Sequence, residues 1–238
     1  MCMSNHLVPE QVNPLQSSEN SLRVLATALI AVGVHPRRAV FAEWMGIVRP
    51  ERIRLYALLL YGLVVLNALL SSVVPAVFGL SHLQATNQAP TLPILLIVAI
   101  VLSPIAVLLS ILVIVFIVAA LMPASMGALN HRSYLLLCPF LLAWLAATTV
   151  DVILDLFTLP LQLPIVAQHL PVITWQPLVA FAYVIYEFIL LTNALAAVST
   201  RSRWLLLTII VLGQILGYLL AFILPVTILG VFGIHMSL

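Results

Sequence analysis

Residues 92–122 read LPILLIVAIVLSPIAVLLSILVIVFIVAALM, without one Asp, Glu, Lys or Arg. About 20 apolar residues in helical form cross the ~30 Å hydrocarbon core of a bilayer, and this run is longer than that. It predicts a membrane helix. Pro104 lies inside the run and predicts a kink, because proline removes a backbone hydrogen bond and crowds the preceding turn. The pattern extends outward on both sides. No charged residue occurs between Arg54 and Arg132, none between Asp155 and Glu187, and none after Arg203. The charges form short islands, and the islands delimit the spans.

The composition agrees. Of 238 residues, 64% are apolar and 7% charged, where a soluble domain has about 45–50% and about 25%. All nine basic residues are arginine, and with seven Asp/Glu they leave a net charge of +2. A soluble enzyme, a disordered chain and a nucleic-acid binder, which needs a dense basic face, are excluded. What remains is an all-α, polytopic helical bundle whose first partner is the lipid bilayer. Cys2 and Cys138 are too few for a disulfide framework or a multi-cysteine metal site. Residues 1–20 lack the basic start and early apolar core of a signal peptide and read as a flexible tail.

Five spans follow, at about residues 55–79, 92–122, 134–157, 175–198 and 204–224. Residues 159–175 are uncharged and apolar but carry Pro160, Pro164 and Pro171, with Pro177 just beyond. So many prolines leave carbonyls unpaired, which lipid does not tolerate, so this segment reads as an outer connection. Five crossings put all nine arginines on one side, and the positive-inside bias makes that side cytoplasmic. The N-terminus is then cytoplasmic and the C-terminus outside. A sixth crossing would move Arg201 and Arg203 to the other face. The domain plan is a tail at 1–20, cytoplasmic amphipathic helices at 21–54 and a five-span domain at 55–238.

Two amphipathic stretches precede the first span. Leu22, Leu25 and Leu29 recur at helical spacing after Ser17, Ser18 and Ser21, serines suited to capping. In the second stretch Phe41, Trp44, Met45 and Val48 share one helical face. Arg37 and Arg38 lie between the two. One reading makes these membrane-surface helices, with Arg37, Arg38 and Trp44 at anionic headgroups. The other packs them on the cytoplasmic ends of the bundle.

Glu187, in VIYEFI (184–189), stands near the middle of the fourth span. A charge there costs about 2.5–3.5 kcal/mol on insertion scales. It is either a proton- or ion-coupled site or a carboxyl hydrogen-bonded across helices, to Asn67 or Gln214. Asp151 and Asp155 are spaced i, i+4 with Thr148 on the same face. They read as solvated carboxylates at the outer helix end, or as a pair that holds a cation or proton, with His169 the only further ligand in view. Gly213 and Gly217 form a GxxxG, which lets two helices approach closely, within the chain or at a dimer seam. Gln214 lies between them. No His-Glu-x-x-His, nucleophile elbow or Walker lysine occurs, and the six histidines fall in tails or loops. No catalytic residue, cofactor or metal site is expected.

The layout resembles the Yip (Ypt-interacting protein) family of five-span membrane proteins. The resemblance rests on a Pro-containing amphipathic stretch, HPRRAVF (35–41), ahead of five helices. Short basic turns, NHRSY (130–134) and STRSRW (199–204), and the Pro-rich outer connection complete it, over roughly residues 22–235. The Asp-Leu-x-Gly-Pro signature of eukaryotic members is not present. The resemblance implies a non-enzymatic integral membrane protein concerned with membrane organisation or trafficking. The alternative is a small proton- or cation-coupled transporter or channel subunit using Glu187. A homo-oligomer or a larger membrane complex is the expected partner. The missing lysines point to an arginine-favouring genome and so to a bacterial cytoplasmic membrane.

Overall fold

The computed structural model describes residues 14–45, 53–73, 96–159 and 176–231, and these form helices and short turns without a strand. Five of the helices are long and apolar enough to cross a membrane: Ile53–Ser71, Ala99–Leu121, Leu129–Thr158, Leu178–Val198 and Arg203–Ala221. The outer connection at 160–175 and the loop at 80–91 lie outside the described residues, as does His169.

In chain order the helices are α1 (Pro14–Val34), α2 (Arg38–Met45), α3 (Ile53–Ala68), α4 (Ser103–Leu121), α5 (Leu129–Thr158), α6 (Gln176–Val198) and α7 (Arg203–Val231). A π-helical turn, Leu69–Val73, closes α3, and another, Val98–Leu102, leads into α4. Helix α1 starts at Pro14, a residue whose missing N–H suits a first turn. The tail boundary expected at Asn20 therefore falls inside a helix, and Ser17, Ser18 and Ser21 lie within α1 instead of capping it. Helix α7 continues past Pro225, where the fifth span was expected to end.

Helix α5 is the axis of the bundle. Its apolar window is 72% buried, against at most 39% for the other four spans. It packs against α1, α3, α4 and α6, while α7 lies along α4 and touches α6. Phe140, Leu141 and Leu145 of α5 meet Ile111 and Ile114 of α4, Leu60 of α3 and Leu191 of α6 in one core cluster. The outward faces are apolar as well. Leu58, Leu112, Phe116, Phe181 and Leu212 are all more than half exposed, which suits acyl chains and not water.

Pro104 lies inside the span Ala99–Leu121, where a change of helix type accompanies it. It falls in the first turn of α4, directly after the π-helical turn. Proline lacks an N–H, so the carbonyl four residues back, that of Ile100, has no helical donor. Tyr61 of α3 supplies one, its Oη donating to Ile100 O at 2.9 Å. A neighbouring helix thus satisfies the group that lipid would leave unpaired. The four carbonyls at the other end of α4 also need donors. Arg132 donates to Ala119 O at 3.1 Å and to Met122 O at 2.6 Å. Arg201 donates to Leu121 O through Nε at 3.0 Å and also through Nη2. An arginine from the first turn of α5 and one from the α6–α7 connection therefore converge on one helix C-terminus, where positive charge is favoured.

The expected close approach of Gly213 and Gly217 occurs within the chain. Both glycines are buried against α4, where Gly217 faces Ser110 and Gly213 faces Ile114. The described GxxxG is thus filled by α4, which leaves it no free face for a dimer seam.

Candidate intramembrane polar site

Four helices bring polar side chains together inside the bundle. Helix α6 contributes Glu187, about 16 Å along the helix from Val198, which is near mid-bilayer depth. Helix α7 contributes Gln214, whose Nε2 donates to Glu187 Oε1 at 3.0 Å. Helix α5 contributes Asp151, and Asn67 of α3 donates from Nδ2 to its Oδ2 at 2.7 Å. Of the two partners offered for Glu187, Gln214 is the one used; Asn67 serves Asp151 instead. Asp151 is half-buried and bonded, which replaces the reading of a solvated carboxylate marking the helix exit.

The two pairs belong to one cluster. Asp151 lies within electrostatic range of Glu187, and Asp155 within range of Asp151. Tyr183 and Tyr218 lie within electrostatic range of both Glu187 and Asp151; the Tyr183 hydroxyl donates to Ala147 O at 3.2 Å, and Tyr218 is more than half exposed at the surface. These tyrosines were not among the expected site residues. Their signal was in the spacing: Tyr183 precedes Glu187 by four residues and Tyr218 follows Gln214 by four, so each shares a helical face with its neighbour.

The sequence contains no Lys or Arg at 55–131, 133–200 or 204–238. Glu187 and Asp151 therefore meet the amides of Gln214 and Asn67, which stabilise a protonated carboxyl or a carboxylate through hydrogen bonds without neutralising it. Such a cluster can bind helices together, and it can hold a proton. Among the described residues no group of three His, Cys, Asp or Glu could hold a metal ion. His131 lies in the first turn of α5, not in a loop.

Two open grooves mark the bundle surface. One, of about 480 Å³ between α6 and α7, is lined by Phe188, Ile189, Thr192, Asn193 and Trp204 among others. The other, of about 690 Å³, runs along α4 and α5 beside Phe116, Ser133 and Leu137. Neither includes Glu187 or Asp151. Of the residues expected at a membrane surface, Arg37 and Arg38 are exposed, whereas Trp44 is half-buried against the core.

The class that fold and site define is an all-α bundle of five apolar spans, with a lipid bilayer as its environment and polar ties inside. Comparison with protein-family models, with curated proteins and with solved structures returns no match.

Proposed function

We propose that the chain is an integral membrane scaffold of Yip-like type in a bacterial cytoplasmic membrane, its N-terminus cytoplasmic, acting without substrate turnover. One observation carries this reading. Arg132, from the first turn of α5, and Arg201, from the α6–α7 connection, meet at the same end of α4, which gives the bundle one basic end. The positive-inside bias makes that end cytoplasmic. There the chain offers a platform for partner proteins. The open, apolar grooves fit lipid, and neither is lined by Glu187.

The test uses full-length protein. In proteoliposomes under an imposed proton or sodium gradient, flux stays at the level of empty liposomes. In native membranes, crosslinking from the exposed residue Ser202 yields discrete protein adducts. A pH-dependent flux that Glu187→Gln abolishes, with folding intact, overturns the scaffold reading.

That outcome would establish the second reading, a proton- or cation-coupled transporter or channel subunit. It is favoured by one feature: Glu187 and Asp151 are tied to neutral amides in spans that contain no basic residue.

A further inference from the structure

Helices α6 and α7 run antiparallel beside the open groove between them. Residues 199–202 alone join Val198 to Arg203. Glu187 and Gln214, which are hydrogen-bonded to each other, each lie about 16 Å from that connection along their own helices. The groove, of about 480 Å³, is lined by Arg203 and Trp204 beside the connection and by Ile185, Phe188 and Ile189 further along α6. Ile185 lies about 20 Å from Val198 along the helix. One leaflet supplies about 15 Å of a ~30 Å hydrocarbon core. The groove therefore has roughly the depth of a single leaflet with its headgroup edge, basic at the rim and apolar along its length.

We infer that this groove is a binding site for an anionic phospholipid. The phosphate sits at Arg203 and the start of α7, and one acyl chain runs along Ile185, Phe188 and Ile189.

Charge selects the headgroup. Arg203 is exposed, and among the described residues lining the groove it is the only charged one. It opens α7, where the helix dipole itself favours negative charge. Two sources of positive potential thus coincide, and no Asp or Glu follows Glu187 in the sequence to offset them. Basic pockets between membrane helices are suited to anionic headgroups. Trp204 stands beside the arginine, 81% exposed, and an indole so placed suits the headgroup level better than water. Deeper in the groove Ile185 and Ile189 are exposed, an apolar wall that an acyl chain covers. Thr192, in the same wall, carries an unmade bond. The hydroxyls of Thr148, Thr149 and Thr208 each donate to the carbonyl four residues back. Thr192 is more than nine-tenths buried, and its Oγ1 has no partner among the described residues. It lies about 9 Å from Val198 along α6, below the rim, where rotation about one side-chain bond lets it donate to a lipid ester carbonyl.

The inference goes beyond the scaffold reading and is tested apart from it, since the site needs neither a partner protein nor a flux. Full-length protein in mixed micelles is titrated with dioleoyl phosphatidylglycerol or dioleoyl phosphatidylcholine, and retained lipid is counted by native mass spectrometry. The parent protein retains a single phosphatidylglycerol in preference to phosphatidylcholine. Arg203→Gln weakens phosphatidylglycerol retention about fivefold, the worth of one arginine near an anionic surface, and leaves phosphatidylcholine unchanged. Arg38→Gln, at an exposed arginine outside the groove, alters neither. Ile189→Trp fills the apolar wall and lowers retention of both lipids. Equal losses from Arg203→Gln and Arg38→Gln mean diffuse attraction to a basic surface and overturn the site. A phosphatidylglycerol preference that survives Ile189→Trp overturns it too. So does displacement of the lipid by glycerol phosphate at equal concentration, which makes the ligand a free phosphate. Arg203 and Ile189 are both exposed, so neither change disturbs the core, and a parent-like elution profile checks the fold of each variant.

Discussion

Gly217→Ala tests the packing of the bundle at its tightest described point. A Cβ at position 217 would meet Ser110 Cα and Ser110 N at 2.7 Å each, as well as Ser110 Oγ. Side-chain rotation cannot relieve a clash with backbone. Ser110 is fully buried and its hydroxyl is engaged, donating to Ala106 O at 2.8 Å. Ordinary carbon contacts lie near 3.5–4.0 Å, so α7 must withdraw from α4 by about 1 Å or slide along it. Overpacking of a closed core costs typically 1–3 kcal/mol. We expect about 2–3 kcal/mol here, since the α4–α7 contact is the most extensive in the bundle. At Gly213 the neighbour is the Ile114 side chain, with Cδ1 at 3.1 Å and Cγ1 nearer still. That side chain can yield in part, so Gly213→Ala costs less, about 1 kcal/mol. Gly62 on α3 has nothing within 4 Å of a built Cβ, so Gly62→Ala is neutral or stabilising by up to about 1 kcal/mol, the usual helix preference for alanine. Reversible unfolding in mixed micelles, or steric trapping in bicelles, reads all three. Equal stabilities for Gly217→Ala and Gly62→Ala would refute the packing. So would dissociation of an oligomer by Gly217→Leu with monomer stability unchanged, since that places the glycines at a seam between chains.

Other expectations follow from the polar ties. Glu187→Gln keeps an acceptor for Gln214 and is near neutral in the same unfolding assay, while Glu187→Leu strands the Gln214 amide and costs about 0.6–1.7 kcal/mol, the range measured for interhelical bonds in membranes. Asp151→Asn behaves like Glu187→Gln, and Asp151→Leu like Glu187→Leu, through the loss of the Asn67 bond. Arg201→Gln removes charged donors from Leu121 O and lowers stability by about 1 kcal/mol, read in the same titration. For orientation, cysteines placed at Ser125 and Ser202 react alike with an impermeant maleimide. Both are protected in intact cells and both react after lysis; opposite behaviour at the two sites would mean that their connections lie on different faces.

The number of spans was legible because charge is so scarce: long uncharged apolar runs mark the crossings, prolines mark the one uncharged segment read as a connection, and the arginines then fit five spans, with no need to know the packing. The helix phases were not legible in the same way. A span apolar all round has no moment to show which face meets which neighbour, so Asn67 and Gln214 were equally good partners for Glu187. Packing decides between them by turning α7's Gln214 toward α6 while its glycines face α4. The same limit hid the answer to Pro104, since the donor for Ile100 O comes from Tyr61, 39 residues earlier in the chain. It also hid Pro139, buried within α5 in an apolar run that reads as unbroken helix.

At the N-terminus the ambiguity is deeper, because an amphipathic helix on a membrane and one against a bundle write the same periodicity. Tyr186 and Asn193 resolve it through neutral donors that reach Gly33 O and Pro36 O. The ties of Tyr61, Asn67, Tyr183, Tyr186, Asn193 and Gln214 each join a neutral donor to a carbonyl or a carboxyl, and among the described residues every arginine stays at or beyond a span's end. Uncharged donors, easy to overlook in a sequence read for charge, therefore set how these helices rotate, while arginine sets only which way they point.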